Sequence, residues 1–232
     1  MSYIAEKLQA VTAQIVAAAR NAGREPSEIA LLAVSKTISP EKVREAHAAG
    51  QRAFGENYLQ EALDKITALK EGAPGIEWHF IGPIQSNKTR PIAENFSWVH
   101  SVDRLKIAQR LSEQRPAALP PLNICLQVNV SGEASKSGCT PQDLPALAQA
   151  VAGLPGLRLR GLMTIPEPAA TEAGQRQPLR ALRELADQLR AEGIALDTLS
   201  MGMSADLAAA IAEGATVVRI GTAIFGERHH AE

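Results

Sequence analysis

The chain has 232 residues, of which 45% are hydrophobic and 21% charged, as expected for a globular protein with one large core. A net charge of −1 and an aromatic content of 3% argue against binding to nucleic acid or to an acidic membrane surface. No apolar run is long enough to span a bilayer, and two cysteines form neither a disulfide framework nor a zinc pattern, so a cytoplasmic location is expected.

The chain begins with a predicted helix and continues with a repeated unit. Within residues 1–23 apolar residues recur every three or four positions, as in an amphipathic helix: Ile4, Leu8, Val11, Ile15, Ala18 and Ala22. After Gly23 the order is a short apolar run, a polar turn and an amphipathic helix. The apolar runs predict eight strands: Leu31–Lys36, Arg52–Gly55, Trp78–Gly82, Trp98–Val102, Ile124–Val130, Leu159–Ile165, Thr198–Met201 and Val217–Gly221.

Eight strands that alternate with helices predict an α/β fold with a parallel sheet closed into a (β/α)8 TIM barrel. An open, doubly wound sheet is the alternative, but no strand–GxGxxG–helix fingerprint supports it. We expect residues 1–232 to form a single domain, with an additional N-terminal helix at 1–23 and the barrel at 30–226. Because only residues 222–232 follow the last strand, the N-terminal helix is expected to cover the barrel where an eighth helix would otherwise lie.

Lys36 closes the first apolar run, immediately before a helix start predicted at Ser39-Pro40. In a TIM barrel the C-terminal ends of the strands carry the active site. A lysine at this position can form an imine with an aldehyde or ketone once a desolvated site deprotonates its ammonium group. The alternative is a lysine that only extends from a strand end into water.

The last two strands are followed by candidate phosphate-binding loops. Ser204 is predicted to be the N-cap of a helix, with unpaired backbone N–H groups just beyond it. Gly221 and Thr222 follow the last strand and offer close backbone approach and a hydroxyl group. Loops seven and eight are a common phosphate site in TIM barrels. Alternatively, Ser204 only caps its helix and Gly221-Thr222 only form a turn.

A ligand with both an aldehyde and a phosphate would satisfy these features, and pyridoxal 5′-phosphate (PLP) is such a ligand. A phosphorylated sugar or keto acid in a lysine-dependent aldolase would fit nearly as well. Arg219 favours PLP, because an inward-pointing arginine two residues before Gly221 would face the edge of the cofactor ring.

Long motifs throughout the chain resemble the pyridoxal phosphate homeostasis proteins, the YggS/PROSC family. The motifs are AVSKT at 33–37, FGENYLQEA at 54–62, WHFIGPIQSNK at 78–88, SVDR at 101–104, VNVSGEASKSG at 128–138, RGLMTI at 160–165, SMGMSADL at 200–207 and VRIGTAIFG at 218–226.

The resemblance implies a PLP-binding barrel similar to the N-terminal domain of alanine racemase. It implies that Lys36 carries PLP as an imine, that Arg219 lies beside the pyridine nitrogen, and that three residues bind the phosphate: Ser204, Gly221 and Thr222. Asn57 and His79 are expected to line the pocket. Asn57 could instead be an N-cap, and His79 a hydrogen-bonded core histidine.

The resemblance favours a non-catalytic carrier over an enzyme. In alanine racemase a tyrosine supplied across a dimer, with an added β domain, is the second base, whereas the tyrosines here are Tyr3 in the first helix and Tyr58 at a helix start. An arginine at the pyridine nitrogen also weakens the ring as an electron sink. The alternatives are a weak PLP-dependent racemase or decarboxylase-like enzyme and the aldolase. We expect a monomer that binds PLP and delivers it to PLP-dependent apo-enzymes.

The segment Ser131–Gly138 is rich in small and polar residues and follows the fifth strand. It is therefore expected to be a loop over the pocket end of the barrel. Lys136 in this loop is a transient second acceptor of PLP or a polar gate that assists PLP release; the alternative is an ordinary solvated lysine.

Overall fold

The computed structural model describes residues 2–134 and 137–226 and shows eight strands, each followed by a helix. The strands are β1 (Ala30–Val34), β2 (Ala53–Glu56), β3 (Glu77–Phe80), β4 (Trp98–Val102), β5 (Leu122–Gln127), β6 (Leu157–Met163), β7 (Thr198–Ser200) and β8 (Val217–Ile220). The helices are α1 (Tyr3–Asn21), α2 (Pro40–Ala48), α3 (Leu59–Leu69), α4 (Thr89–Asn95), α5 (Leu105–Gln114), α6 (Leu144–Ala152), α7 (Glu172–Ala191), α8 (Leu207–Ala212) and α9 (Thr222–Phe225). Two short 3₁₀ helices occupy Pro26–Glu28 and Ser86–Lys88.

The strands form a closed parallel barrel in chain order, and β1 pairs with both β2 and β8. Each strand overlaps its predicted run, so the predicted TIM barrel with an additional N-terminal helix is confirmed. The predicted N-cap at Ser39 is also confirmed, because its side chain accepts a hydrogen bond from Lys42 N–H and Pro40 is the first residue of α2.

The apolar core lies mainly between the strands and the surrounding helices. Smaller apolar clusters occupy the barrel interior, one around Leu32 and Val34 of β1 and another of Trp98, Cys125 and Met163. Cys125 is a small, fully buried core residue, and its burial raises the pKa of its thiol to about 12. Buried polar residues share this interior: His79, His100, Ser200 and Arg219.

Helix α1 closes the outer layer of the barrel. It packs against α2 on one side and against α8 and α9 on the other, through a stripe of buried residues: Ile4, Leu8, Val11, Ile15 and Ala19. Just after α1, Arg24 Nη1 donates hydrogen bonds to Ile211 O at 2.9 Å and Ala215 O at 2.8 Å. These are carbonyl groups at and just beyond the end of α8, where a cation is favourable. The expected covering role of the N-terminal helix is confirmed.

In the part of the chain that the structure describes, no helix is both long and apolar enough to cross a membrane.

Candidate functional site

Lys36 lies two residues beyond β1, at the C-terminal end of the barrel. The strand ladder continues one residue past β1, because Ser35 N–H donates to Gly55 O at 2.9 Å. Leu32 and Val34 belong to an interior cluster. Since side chains alternate along a strand, this register places Lys36 on the barrel side and Ser35 on the helix side.

A buried charge cluster lies behind Lys36, between β2 and α3. Lys65 of α3 is only 3% exposed. Its Nζ donates three hydrogen bonds, at 2.6 Å to Ser35 O, 2.8 Å to Glu56 Oε1 and 2.5 Å to Glu61 Oε1. Burial raises the pKa of Glu56, although the charge of Lys65 opposes this shift. One ammonium group therefore holds two carboxylates and the backbone next to Lys36.

The same cluster fixes the turn after Lys36. Thr37 has a φ of 63°, a left-handed conformation that is uncommon for a residue other than glycine. Its N–H donates to Glu61 Oε1 at 2.6 Å. This contact compensates for the strained conformation, so the chain leaves β1 in one defined direction. This support for the turn was not predicted from the sequence. The sequence does contain an indication of it, because Lys65 lies three residues after Ala62, on the buried side of α3, and four residues after Glu61.

A cavity of about 200 Å³ opens at this end of the barrel. Its lining residues come from the strand ends and their loops: Asn57, Ile81, Pro83, Gln127, Ser137 and Ile165. Asn57 Oδ1 is buried, and among the described residues it has no hydrogen-bond partner. An unpaired buried polar atom costs free energy and is expected where a ligand supplies the partner.

Asn57 is held in place by the neighbouring loop. A Cβ atom on Gly82 would lie 2.3 Å from Asn57 O, so only glycine permits this close approach. The alternative role considered for Asn57, as an N-cap, is not observed: Tyr58 occupies the N-cap position of α3 and makes no side-chain capping bond.

Arg219 of β8 is in the barrel interior and 5% exposed. Its Nη1 donates to Ser200 Oγ at 2.8 Å and its Nη2 to Thr164 O at 2.9 Å. Burial lowers the pKa of Arg219 to about 10, so the guanidinium remains charged at neutral pH. The sequence predicted this inward orientation, and the structure confirms it.

His79 is the hydrogen-bonded core histidine that was the alternative in the sequence analysis. It is buried in β3, and its two nitrogens lie 2.8 Å from His100 Nε2 and 2.8 Å from Glu77 Oε1. Its ring stacks on Trp98, with centroids 5.4 Å apart and planes 4° from parallel. Both ring nitrogens of His79 therefore have hydrogen-bond partners within the protein.

The predicted N-cap at Ser204 is wrong. Helix α8 begins at Leu207 and its N-cap is Asp206, whose Oδ1 accepts a hydrogen bond from Met203 N–H at 2.7 Å. The aspartate side chain closes the turn, so the helix starts two residues later than predicted. Ser204 lies exposed in this turn, between β7 and α8.

The loops after β7 and β8 are neighbours. Arg219 N–H donates to Gly202 O at 2.9 Å, which extends the pairing of these strands towards the cavity end. Gly221 precedes α9, and Thr222 is the exposed first residue of that helix. Lys36 follows β1 and Asn57 follows β2. Four consecutive strands of the closed barrel, β7, β8, β1 and β2, are therefore followed by Ser204, Gly221-Thr222, Lys36 and Asn57 in that order.

Lys136 lies outside the described residues. Ser137 beside it lines the cavity, and Gln127 Nε2 donates to Ser137 O at 3.5 Å. The described part of the loop after β5 thus lies at the predicted end of the barrel. The described residues contain no cluster of three or more metal-ligating side chains.

Comparison with known proteins identifies the family. Residues 7–229 match the family described as "Alanine racemase, N-terminal domain". The chain is 69% identical over 230 residues to the pyridoxal phosphate homeostasis protein of Pseudomonas aeruginosa, across 99% of this chain and 98% of the relative. It is 54% identical over 233 residues to the protein of that name from Escherichia coli, across the full length of both.

The chain belongs to the pyridoxal phosphate homeostasis protein family.

Solved structures agree with this family. PipY of Synechococcus elongatus, described as solved with PLP bound, is 39% identical and has a TM-score of 0.84, covering 96% of this chain and all of PipY. The structure of PipY without PLP has a TM-score of 0.86 at 40% identity and the same coverage. Alanine racemase from Corynebacterium glutamicum shares the fold, with a TM-score of 0.68 at 19% identity over 99% of this chain and 62% of the racemase.

The chemistry of this barrel end fits PLP, the ligand in that PipY structure. Lys36 would supply an amine for the aldehyde, and Arg219 would supply a fixed cation in the barrel interior. The loops of Ser204 and Thr222 offer hydroxyl and backbone donors that suit a phosphate. The unpaired Asn57 Oδ1 adds an acceptor at the cavity wall.

Proposed function

We propose that this protein binds PLP at the C-terminal end of its barrel, holds it covalently through Lys36, and carries it within the cell without catalysing a reaction on it. The homeostasis function named for its relatives supports the general role. The observation that carries the proposal is that four consecutive strands, β7, β8, β1 and β2, are followed at the C-terminal end of the barrel by Ser204, Gly221-Thr222, Lys36 and Asn57, of which Asn57 lines the cavity.

Each proposed contact has a chemical reason. The Lys36 amine would condense with the PLP aldehyde, forming a carbon–nitrogen double bond and releasing one water molecule. Ser204, Gly221 and Thr222 would bind the phosphate, and Arg219 would face the ring nitrogen. A permanently charged donor there favours an unprotonated nitrogen, which weakens the electron sink that PLP supplies in enzymes. His79 would affect PLP only through the residues that it contacts, without touching the cofactor itself.

The first test is the visible spectrum of the purified protein, followed by borohydride reduction and peptide mass mapping. A pyridoxyl label on Lys36 is expected, and Lys36→Ala should remove the lysine-linked absorption band. Lys88, at the end of the 3₁₀ helix Ser86–Lys88, provides a matched control through Lys88→Ala. A label found mainly on Lys88 or Lys136 would refute the assignment of Lys36. A colourless protein that does not bind added PLP would refute the proposed function.

A second measurement distinguishes a carrier from the weak racemase. A carrier releases PLP to an apo-enzyme and does not exchange the α-proton of an amino acid with solvent. Within the described residues both tyrosines are more than half exposed, Tyr3 at 58% and Tyr58 at 54%, so neither has the buried setting of a tuned catalytic base. Incorporation of solvent deuterium at the α-carbon would establish the enzyme instead.

We propose a single-domain monomer in which the barrel binds PLP by itself, with PLP-dependent apo-enzymes as the recipients. Light scattering of the purified protein together with transfer of PLP to an apo-enzyme tests this part.

A further inference from the structure

A row of polar side chains crosses the barrel interior beneath the proposed cofactor position. It starts at Glu77, where β3 begins, and ends at Arg219. The Glu77 side chain is 49% exposed, whereas Arg219 and the residues between them are buried. The four contacts are Glu77 Oε1 to His79 Nε2 at 2.8 Å, His79 Nδ1 to His100 Nε2 at 2.8 Å, His100 Nδ1 to Ser200 Oγ at 2.7 Å, and Arg219 Nη1 to Ser200 Oγ at 2.8 Å. Four strands, β3, β4, β7 and β8, contribute these residues, which we call the interior chain.

The two ends of the interior chain fix the direction of every hydrogen bond in it. Arginine can only donate, so Ser200 Oγ accepts from Arg219, but that oxygen could also accept from His100. The Glu77 carboxylate can only accept, and with two neutral rings this end requires the hydroxyl proton of Ser200 to be directed to His100 Nδ1. His100 then carries its proton on Nε2 and donates it to His79 Nδ1. His79 also carries its proton on Nε2 and donates it to the carboxylate of Glu77. The reverse arrangement would place the unprotonated Nε2 of His79 against the carboxylate of Glu77.

The electrostatics agree with this arrangement. Burial lowers the pKa of His79 and of His100, so both rings are neutral at neutral pH. The hydrogen bond from His79 holds the pKa of Glu77 below its ordinary value, so its carboxylate stays ionised. Each ring therefore has one donor and one acceptor nitrogen, and each nitrogen has a partner of the opposite type.

The arginine at the end of this chain is held at two points. Ser200 Oγ and Thr164 O accept from its two terminal nitrogens. These two hydrogen bonds use two of the five N–H donors of the guanidinium. Two contacts on different nitrogens fix both the position and the plane of the guanidinium group, and they leave donors for a ligand.

A barrel interior filled with apolar side chains would give similar or greater stability, because burying polar and charged groups costs desolvation free energy. We propose that Ser200, His100 and His79 are positioning residues for PLP: anchored by Glu77, they hold the Arg219 guanidinium in a single orientation towards the ring nitrogen of the cofactor. This inference rests on the proposed function, since it needs PLP at the cavity end. None of the three positioning residues is assigned a contact with the cofactor.

The first test uses the bound cofactor as its own probe. PLP labelled with ¹⁵N in its ring is bound to the protein, and the chemical shift of that nitrogen is measured together with the dissociation constant. Ser200→Ala removes the hydroxyl that joins Arg219 to His100, whereas Ser200→Thr keeps it. We expect Ser200→Ala to shift the ¹⁵N signal and raise the dissociation constant about threefold to tenfold. Ser200→Thr should restore the wild-type values.

Two further variants distinguish positioning from general loss of stability. His100→Phe interrupts the interior chain one residue further from the cofactor and should shift the ¹⁵N signal in the same direction as Ser200→Ala. Phe80→Leu provides the control, because Phe80 is on β3 beside His79 but packs on Phe96 in the outer core. It should lower the melting temperature and leave the ¹⁵N signal unchanged.

The outcomes separate this inference from the proposed function. If Arg219→Met shifts the ¹⁵N signal while Ser200→Ala and His100→Phe do not, PLP and Arg219 are correctly placed and the positioning role is refuted. If Arg219→Met also leaves the signal unchanged, the ring nitrogen does not face Arg219. The placement of Arg219 beside that nitrogen and the positioning role are then both refuted. If the wild-type protein does not bind PLP, the proposed function fails.

A second test needs no cofactor. In the PLP-free protein, ¹H–¹⁵N spectra of the imidazole groups should show His79 and His100 as neutral rings protonated on Nε2 at neutral pH. Ser200→Ala should shift the Nδ1 resonance of His100, and Ser200→Thr should not. A charged ring, or a ring protonated on Nδ1, would refute the deduced direction of the interior chain.

Discussion

At the scale of single residues, Thr222 is expected to discriminate ligands that differ only in a phosphate. It is exposed at the start of α9, in the loop proposed to bind the phosphate group. Thr222→Glu places a negative charge there, so we expect PLP binding to weaken about tenfold or more and pyridoxal binding to change little. Absorbance titrations with both ligands measure this ratio.

Thr222→Ser retains the hydroxyl and serves as the control, with affinities near those of the wild type. An equal loss of affinity for PLP and pyridoxal in Thr222→Glu would mean that the substitution disrupts the loop, and it would contradict a phosphate site at this position.

Asn57 illustrates a cost in stability that a binding site can carry. Its Oδ1 is buried and unpaired within the described part of the chain, beside the cavity of about 200 Å³. Asn57→Leu removes this atom and places apolar volume in the cavity, so we expect the PLP-free protein to become more stable by about 1 kcal/mol. PLP affinity should fall at the same time. Thermal unfolding with and without PLP measures both effects.

Asn57→Ala is the comparison for Asn57→Leu. It also removes the unpaired oxygen but fills no volume, so it should stabilise less while weakening PLP binding similarly. Lower stability of both variants without PLP would show that Asn57 has a structural role that the contacts described above do not include.

At the scale of elements, Lys65 joins α3 to the ends of β1 and β2. Lys65→Met leaves Glu56 buried without its cation, and the loss of a partner in a buried pair costs about 3–5 kcal/mol. We expect this loss of unfolding free energy in urea, together with weaker borohydride labelling of Lys36, because the turn at Thr37 loses the support of Glu61.

Two variants control the Lys65 experiment. Lys70→Met changes an exposed lysine just after α3 and should have little effect. Adding Glu56→Gln to Lys65→Met removes the unpaired charge and should restore part of the stability. If the double variant is no more stable than Lys65→Met, the buried charge of Glu56 is not the source of the loss.

Helices α7 and α8 are joined by another buried carboxylate. Glu213, just beyond α8 and 1% exposed, pairs with three arginines of α7 at 2.8, 3.1 and 2.7 Å: Arg176, Arg180 and Arg183. Burial alone would raise the pKa of Glu213, but the hydrogen bonds from Arg180 and Arg176 and the charge of Arg183 outweigh burial and lower it.

A carboxyl with a lowered pKa stabilises the fold above its unfolded pKa, and this contribution is lost as the pH falls through the folded value. We expect Glu213→Gln to cost about 1–2 kcal/mol at pH 7, because the arginines remain partly in water. The difference from the wild type should shrink below about pH 4.5, the ordinary range of a glutamate. Urea unfolding at pH 7, 5 and 3.5 measures it. If the difference in unfolding free energy between Glu213→Gln and the wild type did not change with pH, the ion pairs would be excluded as its cause.

At the scale of the whole molecule, the strands were predictable because parallel strands buried on both faces are short apolar runs, and their number and alternation with helices indicated the barrel. Lys36 and the loops of Ser204 and Thr222 were recognisable because they directly follow such runs. The start of α8 was not predictable from Ser204, since the side chain of Asp206, two residues later, competes for the same backbone.

The interior chain of His79, His100, Ser200 and Arg219 could not be predicted from sequence spacing. Its contacts join residues 21, 100 and 19 positions apart. Those partners meet only because the barrel closes, and closure sets which side chains share its interior. Periodicity could indicate that each residue points inward, but it could not indicate which of the other seven strands supplies its partner.

The pairing of β1 with β8, with α1 packed against α8 and α9, makes the first and last described segments of the chain mutual partners. While the protein is being synthesised, α1 emerges from the ribosome with an apolar stripe whose partners in α8 and α9 are still untranslated. The barrel cannot close until β8 has left the exit tunnel, so closure waits for the last strand and does not proceed strand by strand. In the meantime the stripe of α1 is a site that a chaperone for nascent chains would recognise.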